Sequence, residues 1–482
     1  MSLPRRIAYN AIFTSVAKIL GTILALVSIG FVTRYLGKEG FGDYSTVLAF
    51  FAFFSALADL GLYAISTREI SRPESNEIEI LGNVFTIRLV ASLLVLAISP
   101  LLIAFFPYSA GVKAGIMIAA FAYLFSSSYS VLIGLFQKRL AMDRVAIAEF
   151  VGKIVQLAVV IVAVRQNWGF LAVVNSLFLN MLVSFLIVYF WAKRFVVFKL
   201  RFDWLIWKRF FRESYPVGIS AIITFAYFKF DTILLSILKS NADVGIYNAA
   251  YKVLENISFF PAMFVGLVMP IMSRYIFHER KKFEKIADNT FKVFLILAVP
   301  LVIGTVFLSK NIIYLIGGAG FQESVFVLQA LSFAMAFIFF GNFFTNVIIA
   351  GNQQRKLIAI LFFCAVLNIT LNLILIPKYS YKGAALTSSL TEFLVAAISA
   401  LACWRLLKYI PSFEKVISIL AAGLAMAGFL YAFQGLSFIF RAPASVAIYF
   451  FLLWAFRAVT TEQIALLISR PGGPIHEPEV LA

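Results

Sequence analysis

Histidine, cysteine and acidic residues are scarce in this chain. Two His, two Cys and 23 Asp or Glu stand against 41 Lys or Arg in 482 residues. His278 and His476 have no companions at metal-ligand spacing, which argues against a metal centre. Cys364 and Cys403 each lie inside an apolar run, so no disulfide framework is implied and the redox compartment is left open. There is no Walker-type phosphate loop and no Gly-rich dinucleotide fingerprint in a strand–helix context, so direct nucleotide drive is not expected and no cofactor is called for. Gly317-Gly318-Ala319-Gly320 reads as a loop between apolar runs. No connection exceeds about 25 residues, which leaves little room for a soluble catalytic domain, and the chain is not expected to be an enzyme.

What remains is oil. The chain is 62% hydrophobic and 13% charged, against roughly 45–50% and about 25% in ordinary soluble domains. Apolar runs of about 18 or more residues recur from end to end, the signature of an all-α polytopic membrane protein. The formal charge of +18 would suggest nucleic acid as a partner of a soluble protein. In a membrane protein, loops that retain Lys and Arg and the attraction of anionic headgroups account for it, so membrane lipids are the expected partner and nucleic acid is not. Arg5 and Arg6 precede an apolar stretch as in a signal peptide, but that stretch runs on past Val32 and is expected to stay as the first spanning helix.

Hydropathy places spans near 9–33, 43–66, 83–106, 114–136, 146–164 and 169–191, then near 214–238, 244–272, 290–309, 325–350, 357–376 and 383–404, with a last pair near 414–436 and 443–461. The total is about fourteen. The expected organisation is an N-terminal six-helix bundle at 1–191, a basic aromatic linker at 192–213, a second six-helix bundle at 214–410, an additional helix pair at 411–470 and a disordered tail at 471–482. Lys and Arg concentrate in the alternate connections on the side of the N-terminus, which puts both termini in the cytoplasm. The linker joins seven basic residues with Trp204, Trp207, Phe210 and Phe211, as an amphipathic stretch at a headgroup surface does, and Asp203 can cap a short helix there.

An internal repeat is visible. Gly42-Asp43-Tyr44 and Gly245-Ile246-Tyr247 each open the second helix of a half. Gln137-Lys138-Arg139 and Gln353-Gln354-Arg355 precede the fifth and eleventh helices, and Gly169 and Gly383 open the helices that follow. Two parallel repeats around a central cleft suit a transporter.

A charge in mid-span costs about 2.5–3.5 kcal/mol on insertion scales and so marks a wet cavity or a protein-facing site. Asn10, Thr14, Lys18 and Thr22 recur every fourth residue on the first helix, with no acidic neighbour on that face. Glu149 and Lys153 are four apart on the fifth helix, followed by Gln156; they can pair with each other. Lys252 and Glu255 share a stripe with Asn248 and Asn256, ahead of Pro261 and Pro270, which are expected to kink that helix. Ser220, Thr224, Tyr227 and Asp231 form a polar face on the seventh helix, with Lys229 opposite. Arg88 reads either as a cavity residue or as an interfacial anchor. Any of Asp59, Glu149, Asp231, Glu255 and Glu392 can serve as a H+ or Na+ coupling site or a gate, and the sequence selects none of them.

Several segments carry a family resemblance. Arg6-Ile7-Ala8-Tyr9-Asn10, then Thr33-Arg34-Tyr35-Leu36-Gly37-Lys38-Glu39-Gly40-Phe41-Gly42-Asp43-Tyr44, Leu57-Ala58-Asp59-Leu60-Gly61-Leu62 and Arg68-Glu69-Ile70 open the chain. Asp231-Thr232-Ile233-Leu234-Leu235, Val244-Gly245-Ile246-Tyr247 and Ala250-Tyr251-Lys252 follow in the second half. Together they resemble the polysaccharide and oligosaccharide flippases of the multidrug/oligosaccharidyl-lipid/polysaccharide exporter superfamily. The resemblance implies two pseudo-symmetric six-helix bundles around a cleft plus a C-terminal pair. It also implies alternating access to an anionic polyprenyl-(pyro)phosphate-linked oligosaccharide at the cytoplasmic membrane. A cationic cleft fits that cargo, with Lys18, Lys153 and Lys252 as first candidates and Arg34 and Arg88 behind them. A multidrug or small-cation exporter of the same superfamily is the alternative, and a membrane-bound glycan polymerase or ligase is the alternative from another class.

Overall fold

The computed structural model describes residues 3–72 and 75–459, and the expected tail at 471–482 and the end of the last helix pair lie outside them. Apart from one 3-10 turn at Gly318–Phe321, every regular element among the described residues is an α-helix. The chain forms two compact units, one reaching to Asn248 and including Ile316–Gly320, the other made of the rest. The first unit holds α1 (Leu3–Asp59), α2 (Leu62–Ser71), α3 (Glu77–Ala104), α4 (Ala110–Lys138), α5 (Met142–Arg165), α6 (Phe170–Ala192), α7 (Trp204–Leu238) and the start of α8 (Asn241–Ile257). The second continues with α9 (Phe259–Tyr275), α10 (Arg280–Gly317), α11 (Ser324–Ala350), α12 (Gln354–Leu407), α13 (Val416–Ala432) and α14 (Phe438–Ala455).

Two of these helices double back. A straight α12 of 54 residues would be about 80 Å long, against a hydrocarbon core of about 30 Å. Instead Asn368 Nδ2 donates to Thr391 Oγ1 at 3.1 Å, although 23 residues of straight helix span about 35 Å. The turn is at Ser380, φ 51°. Likewise α1 breaks at Gly37, φ 65°. Asn10 Nδ2 donates to Leu140 O at the end of α4, and Lys138 Nζ donates to Ser75 Oγ, so chain positions 10 and 75 meet the same end of α4. Tyr35 lies at the other end, accepting from Gly169 N–H between α5 and α6.

Ten helical stretches among the described residues are long and apolar enough to cross a bilayer, and α7, bent by 49°, makes an eleventh. Dividing α1 and α12 at their turns and adding the short apolar α13 gives about fourteen, as hydropathy predicts. Leu94, Leu101, Ile417, Leu424, Ile439 and Phe440 stand exposed on these helices. Only lipid solvates such a surface at no cost, and the chain is a multi-pass membrane protein.

Some boundaries differ from the hydropathy reading. The second span is not continuous from 43 to 66: Leu60 and Gly61 take positive φ and α2 starts anew, with Gly61 N–H bonded to the Asp59 carboxylate at 3.2 Å. The turn before the twelfth span falls at Ser380, and Gly383 lies in the first turn after it, where a Cβ would lie 2.5 Å from Leu375 O across the hairpin. The break expected from Pro261 is present: the ring removes the N–H that Ile257 O would accept, and Ile257 is the last residue of α8. Asp203 caps α7, accepting from Leu205 N and Ile206 N. Behind that cap, Trp207 and Phe210 are buried in the core of the first unit while Trp204 and Leu205 stay exposed, the two faces of an amphipathic stretch. In the second unit α13 and α14 pack on α10 through Ile419, Met426 and Tyr449, whose hydroxyl donates to Ile296 O at 2.9 Å.

Candidate functional site

The first half of α1 and the whole of α5 run parallel and in register. Asp143 N–H bonds to Asn10 Oδ1 at 3.3 Å, Lys153 lies against Gly21, and Gly169 N–H reaches Tyr35, each contact joining positions offset by nearly the same amount. This register places the polar face of α1 against the charged face of α5. Thr14, Lys18, Gly21, Glu149 and Lys153 line one cavity of about 60 Å³. Space of that size holds one or two waters in this conformation.

Lys153 is half-buried and lies over Gly21, where a Cβ would sit 3.0 Å from its Nζ. Lys18 is exposed. Lys18 and Glu149 both act electrostatically on Lys153. The expectation that Lys18 has no acidic neighbour therefore holds only on its own helix, because α5 supplies Glu149. That carboxylate accepts from Tyr129 OH of α4 at 3.0 Å. Two ammoniums and one carboxylate leave the cavity net positive. Beyond them, Asn180 Nδ2 donates to Gln156 Oε1 at 2.8 Å, extending the polar face along α5 to α6. Tyr129 and Asn180 escaped the sequence reading. The run Ser126-Ser127-Ser128-Tyr129 inside an apolar helix was the available signal.

Arg88 and Asp59 find each other. Arg88 is buried, forms an ion pair with Asp59, and donates to Ser127 O at 3.3 Å. Its side chain is enclosed within the first unit. Arg34 is exposed on α1, with Gly318 of the 316–320 segment beside it, and the neighbouring Thr33 Oγ1 donates to Ile316 O at 2.6 Å. Asp231 is buried; Tyr247 OH and Thr232 N–H donate to it, and Thr232 Oγ1 donates to Asn248 Oδ1 at 3.3 Å. The side chains of Ser220 and Tyr227, placed on the Asp231 face by periodicity, lie outside the described residues.

In the second unit Lys252 Nζ pairs with Glu255 at 2.7 Å, one turn along the same helix. Glu392 is buried on α12, where it acts electrostatically on Cys364. Asn368 and Asn372 form a chain with Thr391 beside it. Among the described residues no cluster of His, Cys, Asp and Glu could hold a metal ion.

A polytopic helical fold with doubled-back spans and a small cationic cavity between parallel helices is the architecture of a membrane transporter. The family model described as polysaccharide biosynthesis protein matches residues 7–276, more than half of the chain, and the chain belongs to that family. The MatE family model matches residues 216–374. The capsular polysaccharide biosynthesis protein CapF of Staphylococcus aureus is 26% identical over 291 residues, 59% of this chain and 72% of that protein. The probable low-salt glycan biosynthesis flippase Agl15 of Haloferax volcanii is 22% identical over 435 residues, 89% of this chain and 90% of that protein. Among solved structures, lipid II flippase MurJ in an inward closed conformation has the same fold, with a TM-score of 0.75 at 16% identity over 95% of this chain and 100% of that one.

Proposed function

We propose that this chain flips an anionic polyprenyl-(pyro)phosphate-linked oligosaccharide across the cytoplasmic membrane by alternating access, for the assembly of a surface glycan. Membership of the polysaccharide biosynthesis family supports the cargo class, and the observation that carries the mechanism is the shared cavity of Lys18 and Lys153. A pyrophosphate cannot enter hydrocarbon bare. An ammonium near 4 Å from it gains about 4 kcal/mol at an effective dielectric of 20, before desolvation losses. Lys18 and Lys153 hold the phosphates while the prenyl tail stays in lipid. Lys252, paired with Glu255, and Arg88, paired with Asp59, contribute less, because an anion would first have to displace a carboxylate.

Glu149 is the natural coupling or gating group of the five carboxylates, since it shares the cavity with both lysines. A proton or Na+ on Glu149 would raise the net positive charge facing the phosphate, and its loss would lower it. The two six-helix bundles of the sequence pattern are the bodies that rock, and the basic connections lie on the cytoplasmic side with both termini.

The test is a liposome assay with a polyprenyl-pyrophosphate-linked glycan, scored by its accessibility to a lectin added outside. Wild-type protein should expose the glycan, and Lys18→Ala and Lys153→Ala should each slow that exposure. Undiminished flipping in both variants would remove the cavity from the mechanism, and no flipping by the wild type would remove the function.

A further inference from the structure

A second cationic cavity lies in the second unit, apart from the Lys18 cavity. Lys281, Lys285 and Lys292 fall on one stripe of α10, because steps of four and seven residues return to within about 40° at 100° per residue. The connection between α12 and α13 adds Lys415. All four lysines line a cavity of about 450 Å³. Lys292 and Lys415 repel each other across it, with Glu414 the acid beside them.

The other acids lining it are engaged. Glu284 accepts from Arg280 Nε at 2.7 Å. Asp288 accepts from Tyr409 OH at 2.8 Å and from Ser412 N–H at 3.0 Å. Burial and the Asp288 carboxylate both push the Tyr409 phenol far above its usual range, so it remains a donor and keeps Asp288 occupied.

The rest of the lining mixes the polar Asn289 and Ser412 with Phe291, Leu295, Val416 and Ile419, of which Leu295 and Val416 keep some exposure. Directly beside it, Phe413 is 60% and Ile417 83% exposed. Apolar side chains so exposed at the start of an apolar helix face lipid. A cavity that carries lysines and aliphatic groups on the same wall, beside lipid-facing residues, suits an amphiphile.

We infer that this cavity seats an anionic phospholipid, with Lys285, Lys292 and Lys415 around the headgroup phosphate and Leu295 and Val416 against the first methylenes of its acyl chains. The site is separate from glycan flipping and does not rest on it. A soluble phosphate would satisfy the lysines and leave Leu295 and Val416 without a partner.

The full chain in detergent, titrated with phosphatidylglycerol or phosphatidylcholine and followed by native mass spectrometry, tests this. Phosphatidylglycerol should bind about tenfold more tightly or better, since basic residues near a membrane surface each attract anionic lipid measurably. The triple variant Lys285→Gln, Lys292→Gln, Lys415→Gln should lose that preference, and Arg at the same positions should keep it. Lys415→Gln alone, in a connection where folding is not at stake, should lose about threefold. Equal binding of the two lipids, or an undiminished preference in the Gln variants, overturns the site. Glycerol 1-phosphate separates the two sources of phosphate: displacement of lipid only at about hundredfold excess or more supports a lipid, and competition at equal concentration assigns the site to a soluble anion and overturns the lipid.

Discussion

Gly42 and Gly245 meet backbone to backbone. A Cβ on Gly42 would run into Asn241 O and lie 3.1 Å from Gly245 N; a Cβ on Gly245 would run into Lys38 O and lie 3.2 Å from Gly42 N. The two Gly-x-Tyr echoes of the sequence are thus in contact with each other, and the tyrosines that follow, Tyr44 and Tyr247, are buried on either side. Gly42→Ala and Gly245→Ala should each destabilise the protein by about 1–3 kcal/mol, as overpacking does. Thermal melting in detergent checks this, and an unchanged melting temperature in both would mean that the two helices do not approach this closely.

The approach of Lys153 to Gly21 gives a separate test of the cation cavity. Gly21→Leu fills the space now occupied by the lysine stem. The stem is flexible, so folding should survive while flipping falls about tenfold through misplacement of the ammonium. Melting together with the liposome rate separates the two effects.

Removing the charges themselves should act on cargo rather than on stability. Lys18→Ala and Lys153→Ala should each lower flipping by about tenfold or more, the order expected for a lost charged hydrogen bond. Glu149→Gln removes the carboxylate and should tighten binding of the pyrophosphate-linked lipid while slowing its release, measured as retained lipid against flipping rate.

Arg88 and Asp59 should behave as a structural pair. Arg88→Met leaves the half-buried Asp59 without its cation, and that loss should cost about 1–3 kcal/mol. The double variant Arg88→Met, Asp59→Leu should recover most of that loss in a melting assay. A double variant as unstable as the single one would mean that the pair matters for more than mutual neutralisation.

Span positions were legible in the sequence because a run of about 20 apolar residues has one low-energy fate in a bilayer. Local chemistry was legible too: Asp203 caps α7 and Pro261 ends α8 four residues upstream, since both effects act within one turn of helix. Lys18, Glu149 and Lys153 were visible as mid-span charges for the same energetic reason.

Partners were decided by the tertiary structure. Glu149 reaches the Lys18 cavity from another helix, Tyr129 joins it from a third, and Arg88 meets Asp59 across 29 residues of chain. The turn before the twelfth span falls at Ser380, and the close approach of Gly383 to Leu375 across it is a contact between the two arms of the hairpin. Hydropathy counts how many times the chain crosses. Which faces then meet depends on close packing between helices that lipid itself does not drive together, and that information lies in pairs of residues far apart in the chain.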